Sequence, residues 1–61
     1  MVYHLYITFK DGEHVWNVYE TEPDVEIAID YFASRDDVAE VECAEGNDDM
    51  TLQWETIYKR R

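Results

Sequence analysis

The sequence has few of the residues that cross-link a small protein or mark its turns: one cysteine, one proline and two glycines in 61 residues. A single cysteine, Cys43, excludes a disulfide framework within the chain and a zinc site built from paired cysteines. We expect Cys43 to act as a small buried hydrophobic residue in a protein of the reducing cytoplasm. With only Gly12 and Gly46 present, the chain also lacks a glycine-rich phosphate loop.

No run of about 18 apolar residues is present, so the sequence predicts no membrane span. Residues 1–10 alternate too regularly for a signal peptide and lack a basic start, so we expect a protein that is complete as written from its own Met1. Apolar and aromatic residues make up 46% of the chain, which is too much for a disordered acidic tail. We therefore expect a single folded domain over residues 1–61, small enough for dimerisation to aid its stability.

Basic residues are scarce: Lys and Arg number 5, against 15 Asp and Glu, which gives a net charge of −10. All the acids lie within residues 11–55, where Arg35 is the only base. This charge disfavours direct binding to nucleic acid or to an anionic membrane. It favours a basic protein surface as the partner.

Alternating apolar and polar side chains over residues 2–10 predict a half-buried β-strand. Asp11-Gly12 follows and is a strong hairpin signal, because a two-residue turn needs positive φ at both central positions. Residues 13–20 then form the returning antiparallel strand. Farther along, alternation predicts strands over residues 38–44 and 50–58, and the inward side chains of the last strand are Met50, Leu52 and Trp54.

The register of the first hairpin decides which of its side chains are buried. With a two-residue turn, Ile7 lies opposite Trp16, and both Trp16 and Val18 join the core. With a three-residue turn and Gly12 in a bulge, the inward set is Val15, Asn17 and Tyr19. We prefer the first register because it buries more apolar surface.

Residues 22–35 have the pattern of an amphipathic helix. Thr21 can cap this helix, and Pro23 suits its first turn. Apolar side chains at i, i+3, i+4 and i+7 predict a buried stripe that consists of Val25, Ala28, Ile29 and Phe32. We expect Ile27 and Tyr31 to widen the stripe.

These elements predict an α+β fold in ββαββ order, with a four-stranded antiparallel sheet and one helix packed on one face. The strand order is 2-1-3-4 or 1-2-4-3, and both keep every neighbour antiparallel. In the preferred register, the face away from the helix has an aromatic half with Tyr6 and Tyr19 and an acidic half with Glu40 and Glu42. Such a face suits a contact surface, since tyrosine is enriched at protein interfaces.

The residues give no sign of a catalytic centre. A nucleophile and its base need a Ser, Cys or Thr beside a His, but His4 and His14 lie on opposite faces in the preferred register and Cys43 lies in a core strand. Two acidic pairs, at residues 36–37 and 48–49, lack the spacing of a calcium-binding loop. We therefore expect no enzyme activity, no metal site and no cofactor.

The number of acidic residues over the length of this domain is similar to the number of phosphate charges over the same length of DNA. A compact domain of this length is roughly 27 Å across, and the same length of duplex DNA carries roughly 16 charges, against 15 acids here. In size, charge and compactness the chain resembles the small phage-encoded DNA mimics, which inhibit restriction enzymes, uracil-DNA glycosylase or CRISPR effectors. The likeness is one of composition, so it assigns no residue a role.

The sequence therefore favours a non-enzymatic acidic protein-binding module, of the kind of a phage inhibitor that blocks a DNA- or RNA-binding host protein. The alternative is a small homodimer whose acidity reflects a high-salt cytoplasm. For the first function we expect the contact residues to be exposed acids and two sheet tyrosines: Glu26, Asp30, Asp36, Asp37, Glu40, Glu42, Asp48, Asp49, Tyr6 and Tyr19.

Overall fold

The computed structural model describes residues 2–47 and 50–60. The elements in chain order are β1 Tyr3–Phe9, β2 His14–Tyr19, α1 Glu22–Ala33, β3 Val38–Glu45 and β4 Glu55–Lys59. The strands form one antiparallel sheet in the order β2-β1-β3-β4. The α+β fold in ββαββ order is therefore confirmed, and the strand order is the first of the two that the sequence left open.

The first hairpin has the alternative register, so the preferred one is wrong. Ile7 pairs with Val15 rather than with Trp16. The turn has three residues: the Gly12 amide donates to the Phe9 carbonyl at 3.0 Å, and a second backbone bond closes the loop behind it. Trp16 and Val18 consequently face away from the helix and are 47% and 56% exposed.

Two local features explain this turn. The Asp11 Oδ1 accepts a hydrogen bond from the Glu13 amide at 2.9 Å, which holds the chain in a turn that continues past Gly12. Gly12 has a φ of 94°, the left-handed conformation that closes a three-residue hairpin with a bulge. The Asp-Gly pair thus indicates a hairpin, but the hydrogen bonds around it decide how many residues the loop has.

Helix α1 begins as predicted and ends slightly earlier. The Thr21 Oγ1 accepts a hydrogen bond from the Asp24 amide at 3.3 Å, and a proline lies in the first turn. Val25 and Ala28 are buried, with the other two stripe residues half-buried behind them. Ile27 and Tyr31 are 69% and 56% exposed, so neither widens the buried stripe as predicted. Helix α1 packs mainly across β1 and β3 and less across β2.

Strand β4 begins later than predicted, and two of its expected inward residues are not in the core. Met50 is 91% exposed, while Trp54 lies on the sheet face opposite α1, which we call the open face. The pairing of β3 with β4 shifts between Val41 and Glu42. This irregularity turns Tyr58 toward the helix side, where it packs against the core.

The hydrophobic core lies between α1 and the sheet. Its buried members are Leu5, Ile7, Val25, Ala28, Val38 and Val41. Cys43 is a free, half-buried thiol at the edge of this cluster, on the helix side of β3. Burial, and then the nearby carboxylates of Glu45 and Glu55, raise the pKa of this thiol, which disfavours its thiolate form.

Candidate functional site

The open face carries an aromatic cluster, which consists of His4, Tyr6, Trp16 and Trp54. The ring centroids of Trp16 and Trp54 are 5.5 Å apart, with the rings inclined at 78°. Tyr6 meets Trp54 in the same edge-to-face manner at 6.0 Å. Three elements build the cluster, because Tyr6 lies on β1, Trp16 on β2 and Trp54 in the segment that leads into β4. Edge-to-face packing of this kind stabilises aromatic rings beyond the area that they bury.

His4 holds the aromatic cluster in place and is 3% exposed. Its Nδ1 accepts a hydrogen bond from the Trp16 indole N–H at 3.1 Å, and its Nε2 lies 3.0 Å from the Gly46 carbonyl. An indole can only donate and a carbonyl can only accept, so the ring is neutral with its proton on Nε2. Both nitrogens are thus occupied by structural hydrogen bonds, and His4 joins β2 to the end of β3.

The two histidines lie on the same face, which corrects the prediction that they lie on opposite ones. His14 stacks on Tyr6 with ring centroids 5.3 Å apart. The correction follows from the register, because a one-residue slip moves every β2 side chain to the other face. Cys43 remains on the helix side, so its thiol lies on the opposite face of the sheet from both histidines.

A pocket of about 230 Å³ opens beside the aromatic cluster, and its lining residues are Tyr6, Trp16, Glu42 and Trp54. Burial raises the pKa of Glu42, with further contributions from the charge of Glu40 and a hydrogen bond with it, while Lys59 opposes the shift. The pocket therefore combines three aromatic ring systems with one carboxylate. Aromatic faces and a carboxylate both attract an organic cation, which is the chemistry that this arrangement suits.

The acids predicted on α1 lie on its exposed side. Glu26 and Asp30 are exposed, and Glu22 precedes them at the same four-residue spacing. Residues four apart are neighbours on a helix surface, so the three carboxylates form a column. We call Glu22, Glu26 and Asp30 the acidic column.

The acids that follow the helix are exposed but are partly neutralised. Asp37 accepts two hydrogen bonds from Arg35, at 2.6 and 2.9 Å, and these hold the pKa of its carboxyl below the usual range. The same guanidinium lies over the rings of Phe9 and Tyr31, at 5.5 and 5.6 Å from their centroids. Asp36 is exposed, with its Oδ1 3.9 Å from a terminal nitrogen of Arg60.

The remaining predicted contact residues do not form one surface. Tyr6 and Glu42 line the open-face pocket, and Glu40 is beside them. Tyr19 lies on the helix side instead, where it packs against the core, so its expected place beside Tyr6 is wrong. Asp48 and Asp49 lie outside the described residues.

Trp16 and Trp54 are the pocket residues that the sequence interpretation missed. The signal for Trp16 was present, because the three-residue turn gives it the same face as Tyr6. Trp54 gave no such signal, since it lies before β4 begins and its contacts are with β1 and β2. Only tertiary contacts bring the second indole to the pocket.

Within residues 2–47 and 50–60, no group of three or more His, Cys, Asp and Glu side chains could hold a metal ion. In the same part of the chain, none of the helical segments is both long enough and apolar enough to cross a membrane. Comparison with protein-family models, with curated proteins and with solved structures gave no match.

Proposed function

We propose that the protein is a non-enzymatic binding module of the cytoplasm that attaches through its carboxylates to a basic protein surface. The partner chemistry is that of a DNA- or RNA-binding enzyme, whose groove carries lysines and arginines for phosphate. By occupying such a groove the module excludes the nucleic acid, in the manner of a phage-type inhibitor.

The acidic column is the observation that carries this proposal. Like charges four residues apart destabilise a helix by roughly 0.2–0.5 kcal/mol per pair. Asp30 also lies in the last turn, where the helix dipole disfavours an acid and where α1 has no base. Glu22 suits the first turn of the helix, but its repulsion of Glu26 and the position of Asp30 in the last turn are both unfavourable. The cations of a partner would remove this repulsion on binding.

The dimensions of the molecule agree with this role. The chain measures 30 × 23 × 15 Å, and duplex DNA of that greatest length carries roughly 18 charges. Acids lie on both sides of the sheet, with the acidic column on α1 and Glu40 and Glu42 on the open face. A partner groove could therefore surround the thin molecule and meet negative charge from both sides.

The test is binding to purified candidate enzymes: a restriction nuclease, a uracil-DNA glycosylase and a Cas nuclease. We expect binding to at least one enzyme that weakens with added salt and is displaced by duplex DNA. Binding that neither salt nor DNA affects, or no binding to any basic enzyme, would contradict the proposal.

A pair of triple variants locates the contact. Neutralising the acidic column with Glu22→Gln, Glu26→Gln and Asp30→Asn should weaken binding more than neutralising three acids elsewhere: Glu20→Gln, Glu45→Gln and Glu55→Gln. Both variants change the net charge by the same amount, so a larger effect of the first assigns the contact to α1. Equal effects would show that only the summed field matters.

A second candidate function, a homodimer, is favoured by strand β2. It is an edge strand whose residues 15–19 carry no charge, and Val15, Trp16 and Val18 are exposed. Such edges pair with other strands unless charges protect them. Glu13 and Glu20 flank the strand, and in an antiparallel pair of β2 strands these two acids would face each other unfavourably.

Two measurements decide between the candidates. Sedimentation of the wild type at low and at molar salt reports dimerisation, which screening of the flanking acids should promote. Thermal unfolding over the same salt range reports solvent adaptation. A monomer throughout, with unchanged thermal stability, would remove the homodimer of a high-salt cytoplasm.

A further inference from the structure

We propose that the open-face pocket lined by Tyr6, Trp16, Trp54 and Glu42 binds the guanidinium group of an arginine side chain. The arginine is contributed by the basic partner, so the source of the ligand rests on the proposed function. The pocket itself is a property of this chain and can be tested without the partner.

The geometry of the rings suits a planar cation. Trp16 and Trp54 stand nearly perpendicular to each other at 5.5 Å, and Tyr6 adds a third ring system inclined at 67° to Trp54. A cation in the corner between such rings meets the negative face of one and lies close to the others. A guanidinium can stack on an indole while its edge donates to a carboxylate, which a compact ammonium cannot do.

Glu42 supplies the carboxylate. Its position is one where a negative charge lowers the stability of the unbound protein. It is partly buried among the aromatic rings, and Glu40 lies beside it on the same strand face. Burial and a like charge both disfavour its ionised form. An arriving cation reverses this cost, and a charged hydrogen bond to a carboxylate is stronger than a neutral one.

The molecule already holds one arginine in this way. The Arg35 guanidinium lies 5.5 Å from the Phe9 ring centroid and 5.6 Å from that of Tyr31. It also donates two hydrogen bonds to Asp37, at 2.6 and 2.9 Å. Two aromatic rings and one carboxylate thus suffice to fix a guanidinium on this protein, and the open-face pocket offers the same set of groups.

The arginines within the described residues are engaged elsewhere. Arg35 is bound to Asp37, and Arg60 lies over the Tyr58 ring and donates to the Arg35 carbonyl. Lys59 is close enough to Glu42 to affect its titration, but an ammonium lacks the planar edge that the pocket suits. Neither arginine of residues 2–47 and 50–60 is free to fill the pocket, so we assign the ligand to an arginine of another molecule.

The test is a titration with N-acetyl-arginine methylamide, followed by the NMR signals of the two indole N–H groups and by tryptophan fluorescence. The matched probes are the citrulline derivative, which has the same shape without the charge, and the lysine derivative. We expect saturable shifts of the Trp16 and Trp54 signals with the arginine probe, with affinity in the millimolar range. The lysine probe should bind more weakly, and the citrulline probe should cause no saturable shift.

Variants assign the contact to Glu42. Glu42→Gln should weaken the arginine probe roughly ten-fold, the size of a lost charged hydrogen bond. Glu55→Gln removes an exposed acid from β4, and should leave the affinity unchanged. Unchanged amide spectra outside the pocket would show that both variants keep the fold.

Three results would overturn the assignment: an equal response to citrulline, an affinity for lysine equal to that for arginine, or an unchanged affinity in Glu42→Gln. None of them depends on a partner. A positive titration combined with failure of the enzyme-binding test would keep the arginine site and remove the proposed inhibitor function. Enzyme binding without a positive titration would keep the function and remove the site.

Discussion

The two faces of the sheet are built from different materials. On the helix side the centre of the core is aliphatic: Leu5, Ile7 and Val41 are fully buried under α1, and the aromatic rings of this side are only partly buried around them. The open face is aromatic and partly exposed to solvent, and Trp16 remains 47% exposed although it packs against two other rings. A histidine, His4, takes the buried position at the centre of that second cluster.

This difference separates stability from recognition. Closely packed aliphatic side chains stabilise a fold but offer nothing to a partner. Half-exposed aromatic rings beside a carboxylate keep binding area available, because their faces and their polar groups are not all satisfied internally. We therefore expect the helix side to respond to mutation through stability, and the open face chiefly through binding.

The largest expected effect comes from removing a core side chain on the helix side. Ile7→Ala should cost roughly 2–5 kcal/mol of unfolding free energy, because it leaves a cavity in a buried site. Val18→Ala on the open face should change the same quantity by less than about 0.5 kcal/mol, since this valine is 56% exposed. Urea denaturation of both variants checks the contrast, and similar costs on the two faces would contradict it.

His4→Phe should have the next largest effect. The variant keeps an aromatic ring but leaves the Trp16 indole N–H and the Gly46 carbonyl without their present partner. Unsatisfied buried groups cost roughly 1–3 kcal/mol each, so unfolding should require clearly less urea. His14→Phe is the matched control, because His14 is exposed. A loss no larger than that of the control would mean that His4 does not hold the aromatic cluster together.

Gly12→Ala tests the hairpin register that separates the faces. Gly12 has a φ of 94°, and a Cβ there meets nothing within 4 Å, so the cost is purely one of backbone conformation. We expect a loss of about 1–2 kcal/mol of unfolding free energy, with a smaller loss for Gly12→Asn. Equal losses for alanine and asparagine would argue against the left-handed conformation.

The smallest expected change in unfolding free energy comes from replacing Glu42, and it is a gain where the preceding variants give losses. Because the pKa of Glu42 is raised in the folded protein, the folded state binds the proton more tightly than the unfolded state does. Ionisation of Glu42 therefore lowers stability as the pH rises from the ordinary value of 4.5 through the raised value. The charged and titratable groups that the structure describes on its face are Glu40, Lys59, His4, His14 and Tyr6.

Glu42→Gln should accordingly stabilise the protein at neutral pH, by up to about 0.5 kcal/mol, the size usual for partly exposed charges. The gain should disappear well below pH 4.5, where Glu42 is protonated in both the folded and the unfolded state. Thermal unfolding of both proteins across this pH range is the measurement. A variant that is less stable than the wild type at neutral pH would reverse the sign and contradict the prediction.

The parts of the fold that could be predicted from the sequence are those with local causes. The period of the apolar residues indicates each strand and the helix, and the Thr21 cap depends on an amide three residues away. The order of elements and the identity of the buried helix stripe follow from these patterns. The predicted beginning of β4 was wrong, because the pairing with β3 starts only at Glu55, and Trp54 just before it contacts β1 and β2 instead.

The hairpin register could not be decided by counting buried apolar area. That count assumed one apolar face, whereas Trp16 is partly buried on the open face by His4 and Trp54. Trp54 is far from Trp16 in the chain, and no local pattern indicates that they meet. The candidate site was missed for the same reason, since its pocket needs the correct register and that distant indole together.

The sequence by itself thus determined an acidic α+β domain in ββαββ order, a capped helix and an apolar interior. The tertiary structure decided the strand order, the register and the facing of Trp16, and with them the aromatic pocket around Glu42. The physical reason is the distance along the chain over which each kind of interaction acts. Periodicity and capping act within a few residues, whereas a one-residue choice at a turn is settled by contacts among rings that only the folded sheet brings together.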